Sequence, residues 1–251
     1  MIFWALLPVA GLQGLSLRKK ALRLPPPPGQ NHGLIRGLAG QTAQNRFTTP
    51  LRLLALGDSI IAGIGASSQE QTLPAHLARS YSQLSQRTVS WKALGTSGAD
   101  SADLLAQLES LEHEPAPDLV LVSIGVNDVT GLRSSKSWCA NLAQLCTLLG
   151  TRWPEAIIIF AGLPPMEKFP LPPQPLRWCL GVRAALFDQI AAGLVDIQAG
   201  MIHIPTLIAP GEHDFCPDGF HPSESAYAAW GEEMARIITD QFSSSRRRLA
   251  Q

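Results

Sequence analysis

The chain of 251 residues has no net charge, because twenty Lys and Arg side chains balance twenty Asp and Glu. It therefore lacks the basic excess that marks a dedicated nucleic-acid binder. Its four cysteines, Cys139, Cys146, Cys179 and Cys216, contain no C-x-x-C pair, so a zinc or thioredoxin-like site has no support. They read as reduced, buried thiols, with Cys139 and Cys146 facing the core of one helix. Only the first stretch of the chain approaches the length of a membrane span, which excludes a multi-span membrane protein. There is no internal repeat. Apolar residues make up 45% of the composition, which excludes wholesale disorder. The length suits one medium α/β domain.

The zero is a cancellation. Residues 1–57 carry seven basic residues and no acid, and the last nine residues add three arginines. Residues 58–242 hold all twenty acids and only ten basic residues. The middle of the chain is thus an acidic domain, and the basic excess sits on its arms. Residues 1–23 form a segment in which an apolar run, residues 1–17, is followed by a basic flank of Arg18, Lys19, Lys20 and Arg23. A secretory signal has its basic residues before the apolar run, not after it. Three readings stand for this segment: a short anchor, an interfacial helix, or an apolar arm packed on the domain. The basic flank favours a membrane surface, with the domain on the cytoplasmic side. Residues 24–50 read as a linker opened by the run Pro25 to Pro28, which favours a semi-rigid polyproline spacer. Residues 51–242 form the domain, and residues 243–251 a mobile basic tail.

Within 51–242 short apolar runs alternate with helical stretches. Residues 51–56, 88–94, 118–124, 156–161 and, more weakly, 201–204 read as strands. Their near-continuous apolarity predicts a parallel sheet covered on both faces. Helices are predicted over 73–84 behind Thr72, from Ser101 as a cap, over 137–149, over 176–195, and over 224–241 behind Ser223. The expectation is a three-layer α/β/α sandwich with a five-stranded parallel sheet. Functional groups of such sheets gather at the carboxyl ends of the strands.

Three polar segments lie directly after strands: Gly57-Asp58-Ser59, Gly95-Thr96-Ser97-Gly98 and Gly125-Val126-Asn127-Asp128. A fourth, Asp218-Gly219-Phe220-His221-Pro222, precedes the last helix. A serine nucleophile needs a base, and the base needs an orienting group. Ser59 turns off a strand end, His221 can be its base, and Asp218 lies three residues before that histidine on one loop. Acyl transfer also needs donors for a developing oxyanion. The Ser59 N–H, the Gly95 N–H and the Asn127 amide are the candidates. Asp58 reads as the residue that holds the turn. His76 reads as a solvated side chain, Trp91 and Trp153 as core. His213 and Asp214 form a second candidate pair, set aside because the helix cap follows His221 and not His213. Cys216 is a nucleophile in principle, but nothing near it marks a lowered thiol pKa, and Glu212-His213-Asp214 is set aside as a metal site.

These residues resemble the SGNH hydrolases, also called GDSL-type esterases and lipases, over roughly residues 51–240. Gly57-Asp58-Ser59 is similar to their first block, Gly95 to the second, Asn127 to the third, and Asp218 with His221 to the last. Ile60 stands where the family name has leucine. Lys92-Ala93-Leu94 precede Gly95 where an asparagine often stands, which leaves Gly98 as a substitute donor. The resemblance implies a flavodoxin-like sheet, no metal, no cofactor, and hydrolysis of acyl or acetyl esters through an acyl-enzyme. Its partners would be small-molecule or lipid esters, with no nucleic acid. An acyltransferase on the same triad and a catalytically silent, membrane-tethered binding domain are the alternatives. Residues 163–175 hold six prolines after the fourth strand. This stiff loop at the strand ends is expected to wall the acyl pocket with Met166, Phe169 and Leu171.

Overall fold

The structure is a computed structural model that describes residues 2–20, 22, 24–37, 49–111, 114–206 and 211–249. Its centre is a six-stranded sheet in the order β1-β3-β2-β4-β5-β6. The strands are β1 His32–Ile35, β2 Leu51–Gly57, β3 Val89–Gly95, β4 Leu119–Ser123, β5 Ile157–Ala161 and β6 Met201–Ile204. Five of them are parallel, as the apolar runs predict, and β1 joins the edge antiparallel to β3. The expected five-stranded parallel sheet is therefore a six-stranded mixed one. The extra strand falls inside the segment read as linker. Only every second residue of its His-Gly-Leu-Ile is even half-buried, so an edge strand this short leaves little apolar pattern to detect. Asn31 fastens it, since its side-chain amide donates to the Ala93 carbonyl over 2.9 Å. The prolines before it are seated on the domain: Gln69 donates its backbone N–H to the Pro28 carbonyl over 2.9 Å. Residues 38–48 of the expected linker lie outside the described residues.

Successive strand side chains point to opposite faces, and each face has its own core. Leu54, Leu56, Val120 and Val122 pack with helices α4 (Ser101–Ser110), α6 (Ser135–Arg152) and α7 (Leu176–Val195) through Leu104, Leu142 and Phe187. Leu53, Ala55, Leu119 and Leu121 pack with α3 (Leu73–Ser85) and α8 (Glu224–Leu249) through Leu77, Tyr227 and Met234. This is the three-layer sandwich. The two short helices α2 (Ser59–Ala62) and α5 (Val126–Thr130) follow β2 and β4 directly.

Several local expectations are revised. Ser101 is not the cap of α4. Asp100 caps it in a reciprocal box with Asp103, because a carboxylate one residue earlier satisfies the free N–H groups better placed for it. Helix α8 continues to Leu249 through the segment expected to be a mobile tail, and residues 250–251 lie outside the described residues. His76 is half-buried rather than solvated, packed where α3 meets Gly231 of α8. Cys146, Cys179 and Cys216 are buried free thiols, whereas Cys139 is only half-buried. Residues 2–20 form a helix, α1, whose Ala10 is buried in the core beside α7.

Candidate active site

The β2 strand ends at Gly57, whose backbone runs so close to β4 that a Cβ there would lie 1.9 Å from the Ser123 carbonyl oxygen. Its φ of +152° adds a second reason for glycine. The chain then turns through Asp58, whose carboxylate accepts the Ile60 N–H over 3.0 Å and caps α2. That side chain is fully buried, and burial pushes its pKa up to about 7, against the cap and the nearby His221, which pull it down. Ser59 is the first residue of α2, where a backbone N–H has no acceptor within the helix.

The opposing loop is built around a bridge between Phe215 and Pro222. Gly219 turns it at φ +65°. Asp218 Oδ1 accepts the N–H groups of Phe220 (2.9 Å) and His221 (3.0 Å), which leaves Oδ2 for the imidazole. His221 Nδ1 lies 2.6 Å from that oxygen, and its Nε2 lies 3.0 Å from Ser59 Oγ. Burial raises the Asp218 pKa, but the hydrogen bonds from His221 and from the two backbone N–H groups outweigh it. They hold the carboxyl below the usual carboxylate range. Serine, imidazole and carboxylate thus stand in the hydrogen-bonded order that an activated serine requires.

The two remaining candidate donors flank Ser59. Gly95 pairs in register with Gly57 across β2 and β3. A Cβ on it would lie 2.1 Å from the Ala62 nitrogen, so Gly95 carries the α2 turn directly against β3. Gly98 instead sits on an exposed turn with no heavy atom within 4 Å of a Cβ position. Asn127 is the second residue of α5, just past the end of β4. One of its amide hydrogens goes to the Ala99 carbonyl over 2.9 Å, leaving the second free for another acceptor. The next residue, Asp128, is wholly buried and receives both the N–H (2.9 Å) and the hydroxyl (2.5 Å) of Ser101. This carboxylate ties α5 to the start of α4, a positioning link that carries no spacing signal because its partner is 27 residues away.

Ser59 and His221 open onto a cavity of about 750 Å³, part of it open to solvent. Its walls are mostly apolar and include Ile60, Val126, Leu163, Pro165, Phe215 and Trp230. Of the three residues expected there, only Phe169 is in the wall. Met166 is fully buried in the core instead, because a short 3₁₀ turn, Met166–Lys168, folds it inward onto α7. Leu171 is turned to the catalytic loop, where its N–H donates to the Gly219 carbonyl over 3.0 Å. Phe169 meets Phe215 and Phe220 edge-to-face, at centroid distances of 5.1 and 5.2 Å. Phe215 and Phe220 are pocket residues that patterning in the sequence did not single out, although Phe220 lies inside the Asp-Gly-Phe-His-Pro motif.

A doubly covered α/β sheet with a serine, an imidazole and a carboxylate gathered at its carboxyl edge is an architecture that ester hydrolases use. Residues 55–229 match the GDSL-like lipase/acylhydrolase family, and the chain belongs to that family. It is similar to a GDSL-like esterase of Mycobacterium tuberculosis, with 30% identity over 197 residues, covering 76% of this chain and 62% of that protein. The chain therefore spans less than two thirds of that relative's length. A psychrotrophic esterase from Pseudoalteromonas, solved inhibited by monoethylphosphonate, superposes with a TM-score of 0.58 at 24% identity, over 76% of this chain and 98% of that one. A carbohydrate esterase family 2 enzyme with a carbohydrate-binding domain, from Corynascus thermopiles (Myceliophthora fergusii), superposes with a TM-score of 0.62 at 17% identity, over 78% and 68%. At these identities the two structures share the fold with this chain.

Proposed function

We propose that this chain hydrolyses carboxylic esters with an apolar acyl group, with Ser59 as nucleophile, His221 as general base and acid, and Asp218 as the group that orients the imidazole. The observation that carries the reading is the line Ser59 Oγ, His221 Nε2, His221 Nδ1, Asp218 Oδ2, joined at 3.0 and 2.6 Å at the mouth of an apolar cavity.

As Ser59 Oγ attacks the ester carbonyl, its proton passes to His221 Nε2. The carbonyl π electrons move onto oxygen. The imidazolium so formed is held by the Asp218 carboxylate, which stays ionised because its pKa is depressed. The oxyanion is received by the Ser59 N–H, the Gly95 N–H and the second hydrogen of the Asn127 amide. Each donor of this kind is worth about 3 kcal/mol of transition-state stabilisation. Collapse breaks the bond to the alcohol oxygen, which takes the proton from His221 Nε2 and leaves. Water, deprotonated by the same imidazole, then attacks the acyl-serine and frees the acid. Asn127 is suited to its part because the Ala99 carbonyl already fixes the amide plane, so little reorganisation is needed when charge develops.

The test is a fluorophosphonate probe together with a panel of p-nitrophenyl esters of graded acyl length. Covalent labelling and turnover are expected in the wild type and absent in Ser59→Ala. Labelling that survives in Ser59→Ala refutes the assignment.

A further inference from the structure

Eleven large apolar side chains are exposed among the described residues, and six of them lie on two elements that pack together, with a seventh just beyond the end of one. Val9, Leu12 and Leu15 belong to α1, and Leu22 follows it. Trp178, Val182 and Leu186 belong to α7. The spacings are helical: 12 and 15 on α1, and 178, 182 and 186 on α7, each form one stripe. The opposite side of α1, with Ala10 and Leu17, packs on the core. This helix is thus apolar on both sides, which a helix resting on its own domain does not require.

The stripe on α7 is uncharged because the charged residues of that helix are turned to protein partners. Arg177 Nε donates to the Pro172 carbonyl over 2.8 Å. Arg183 donates to the Arg133 carbonyl over 2.7 Å. Asp188 accepts from the Leu163 N–H over 2.8 Å and faces His203 at 2.9 Å. What remains exposed from 178 to 193 is Trp178, Val182, Ala185, Leu186, Gln189 and Gly193. By length and apolarity α7 could cross a membrane, but the burial of Leu180, Ala184, Phe187 and Ala191 makes it a helix of the domain.

Basic residues follow the apolar run of α1 in the sequence. Arg18, Lys19 and Lys20 form the last turn of α1 and Arg23 follows in sequence, with no acid anywhere in residues 1–57. Residues 58–242 hold all twenty acids against ten basic residues, so the basic excess of the sequence is concentrated around the apolar helix α1. We infer that the α1 and α7 face docks on the surface of a bilayer that contains anionic lipid, with apolar side chains in the acyl boundary and the α1 end against the headgroups. The seat adjoins the candidate site. Gln13 of α1 donates to the Gln174 carbonyl over 2.8 Å and accepts the Leu176 N–H over 3.1 Å. It thereby clasps the end of the proline-rich loop whose Leu163, Pro165 and Phe169 wall the cavity.

Co-sedimentation of the full chain with phosphatidylglycerol-containing and pure phosphatidylcholine vesicles tests this. The expected result is binding to the anionic vesicles that is at least about tenfold tighter than to the neutral ones and weakens with salt. Leu12→Asp/Leu15→Asp and, independently, Val182→Asp should each lower the bound fraction several-fold. Their turnover of a water-soluble short-chain ester should stay at the wild-type level. Ser59→Ala should bind as the wild type does, so docking is read apart from catalysis. Absence of binding to anionic vesicles, or binding that neither variant weakens, overturns the inference. So does a concentration-dependent dimer in light scattering that Leu12→Asp/Leu15→Asp disperses, because a second copy would then be what covers the face.

Discussion

The backbone N–H of Leu171 donates to the carbonyl of Gly219 over 3.0 Å, so the proline-rich loop is fastened to the turn between Asp218 and His221. A bond of this kind is made by the backbone, and only a residue without an N–H can remove it. Leu171→Ala should leave turnover within about twofold of wild type. Leu171→Pro should lower kcat by about tenfold with little change in KM, because the imidazole loses its brace while the pocket keeps its walls. Steady-state kinetics on one short-chain ester separates the two. Wild-type turnover in Leu171→Pro would show that the bond does not brace the imidazole, and an equal loss in both variants would assign the effect to the side chain.

The orienting role of Asp218 is tested by Asp218→Asn. The amide keeps the size of the carboxylate but cannot stabilise an imidazolium, and it favours the wrong tautomer at Nδ1. A fall in kcat of about 10⁴ is expected, with the fold retained by circular dichroism. A loss of less than about tenfold would remove Asp218 from the mechanism.

Much of this arrangement is legible in the chain itself, for physical reasons. Ser59, Asp218 and His221 stand in short motifs at strand and helix ends, where local turn chemistry leaves a signature. The strands read clearly because a doubly covered sheet makes them almost wholly apolar. What was not legible depends on distant partners. Nothing in His32–Ile35 announces a strand until the free edge of β3 is there to receive it. Ser101 looks like a cap by type, and only the structure reveals that its hydroxyl is committed to Asp128, with Asp100 in the capping place. Met166 and Leu171 have the apolarity of pocket residues, yet a single 3₁₀ turn decides which of 166, 169 and 171 faces the cavity. Proline-rich segments lack the periodicity that would settle such a choice.

Phe169 should set the depth of the acyl pocket. It is buried between Phe215 and Phe220 and forms part of the cavity wall. Phe169→Ala enlarges that space and should shift preference toward longer acyl chains, raising the octanoyl to acetyl ratio of kcat/KM by about tenfold. It should also cost about 3 kcal/mol of stability, since a buried aromatic ring is deleted. An unchanged ratio across the ester panel would mean that the acyl chain lies elsewhere.

Asp58 gives stability a pH dependence of definite sign. Its pKa is pushed up to about 7 by burial in the folded chain, against about 4 for an exposed aspartate. Below about pH 4 the group is protonated in both states and contributes no pH-dependent difference. Between about pH 4 and 7 the unfolded chain releases its proton while the folded one retains it, so stability falls as pH rises, then levels off. The full difference is on the order of 4 kcal/mol. Asp218 acts in the opposite sense and in another window. Its lowered pKa stabilises the fold above about pH 4, and that contribution is lost only as the pH falls further. Asp58→Asn keeps an oxygen for the Ile60 N–H but cannot ionise. Urea unfolding at pH 5 and pH 8 should therefore show the variant gaining stability relative to wild type at the higher pH, by several kcal/mol at most. If wild type and variant move in parallel between those two pH values, Asp58 is ionised throughout, and the buried carboxylate must then be charged in the resting site.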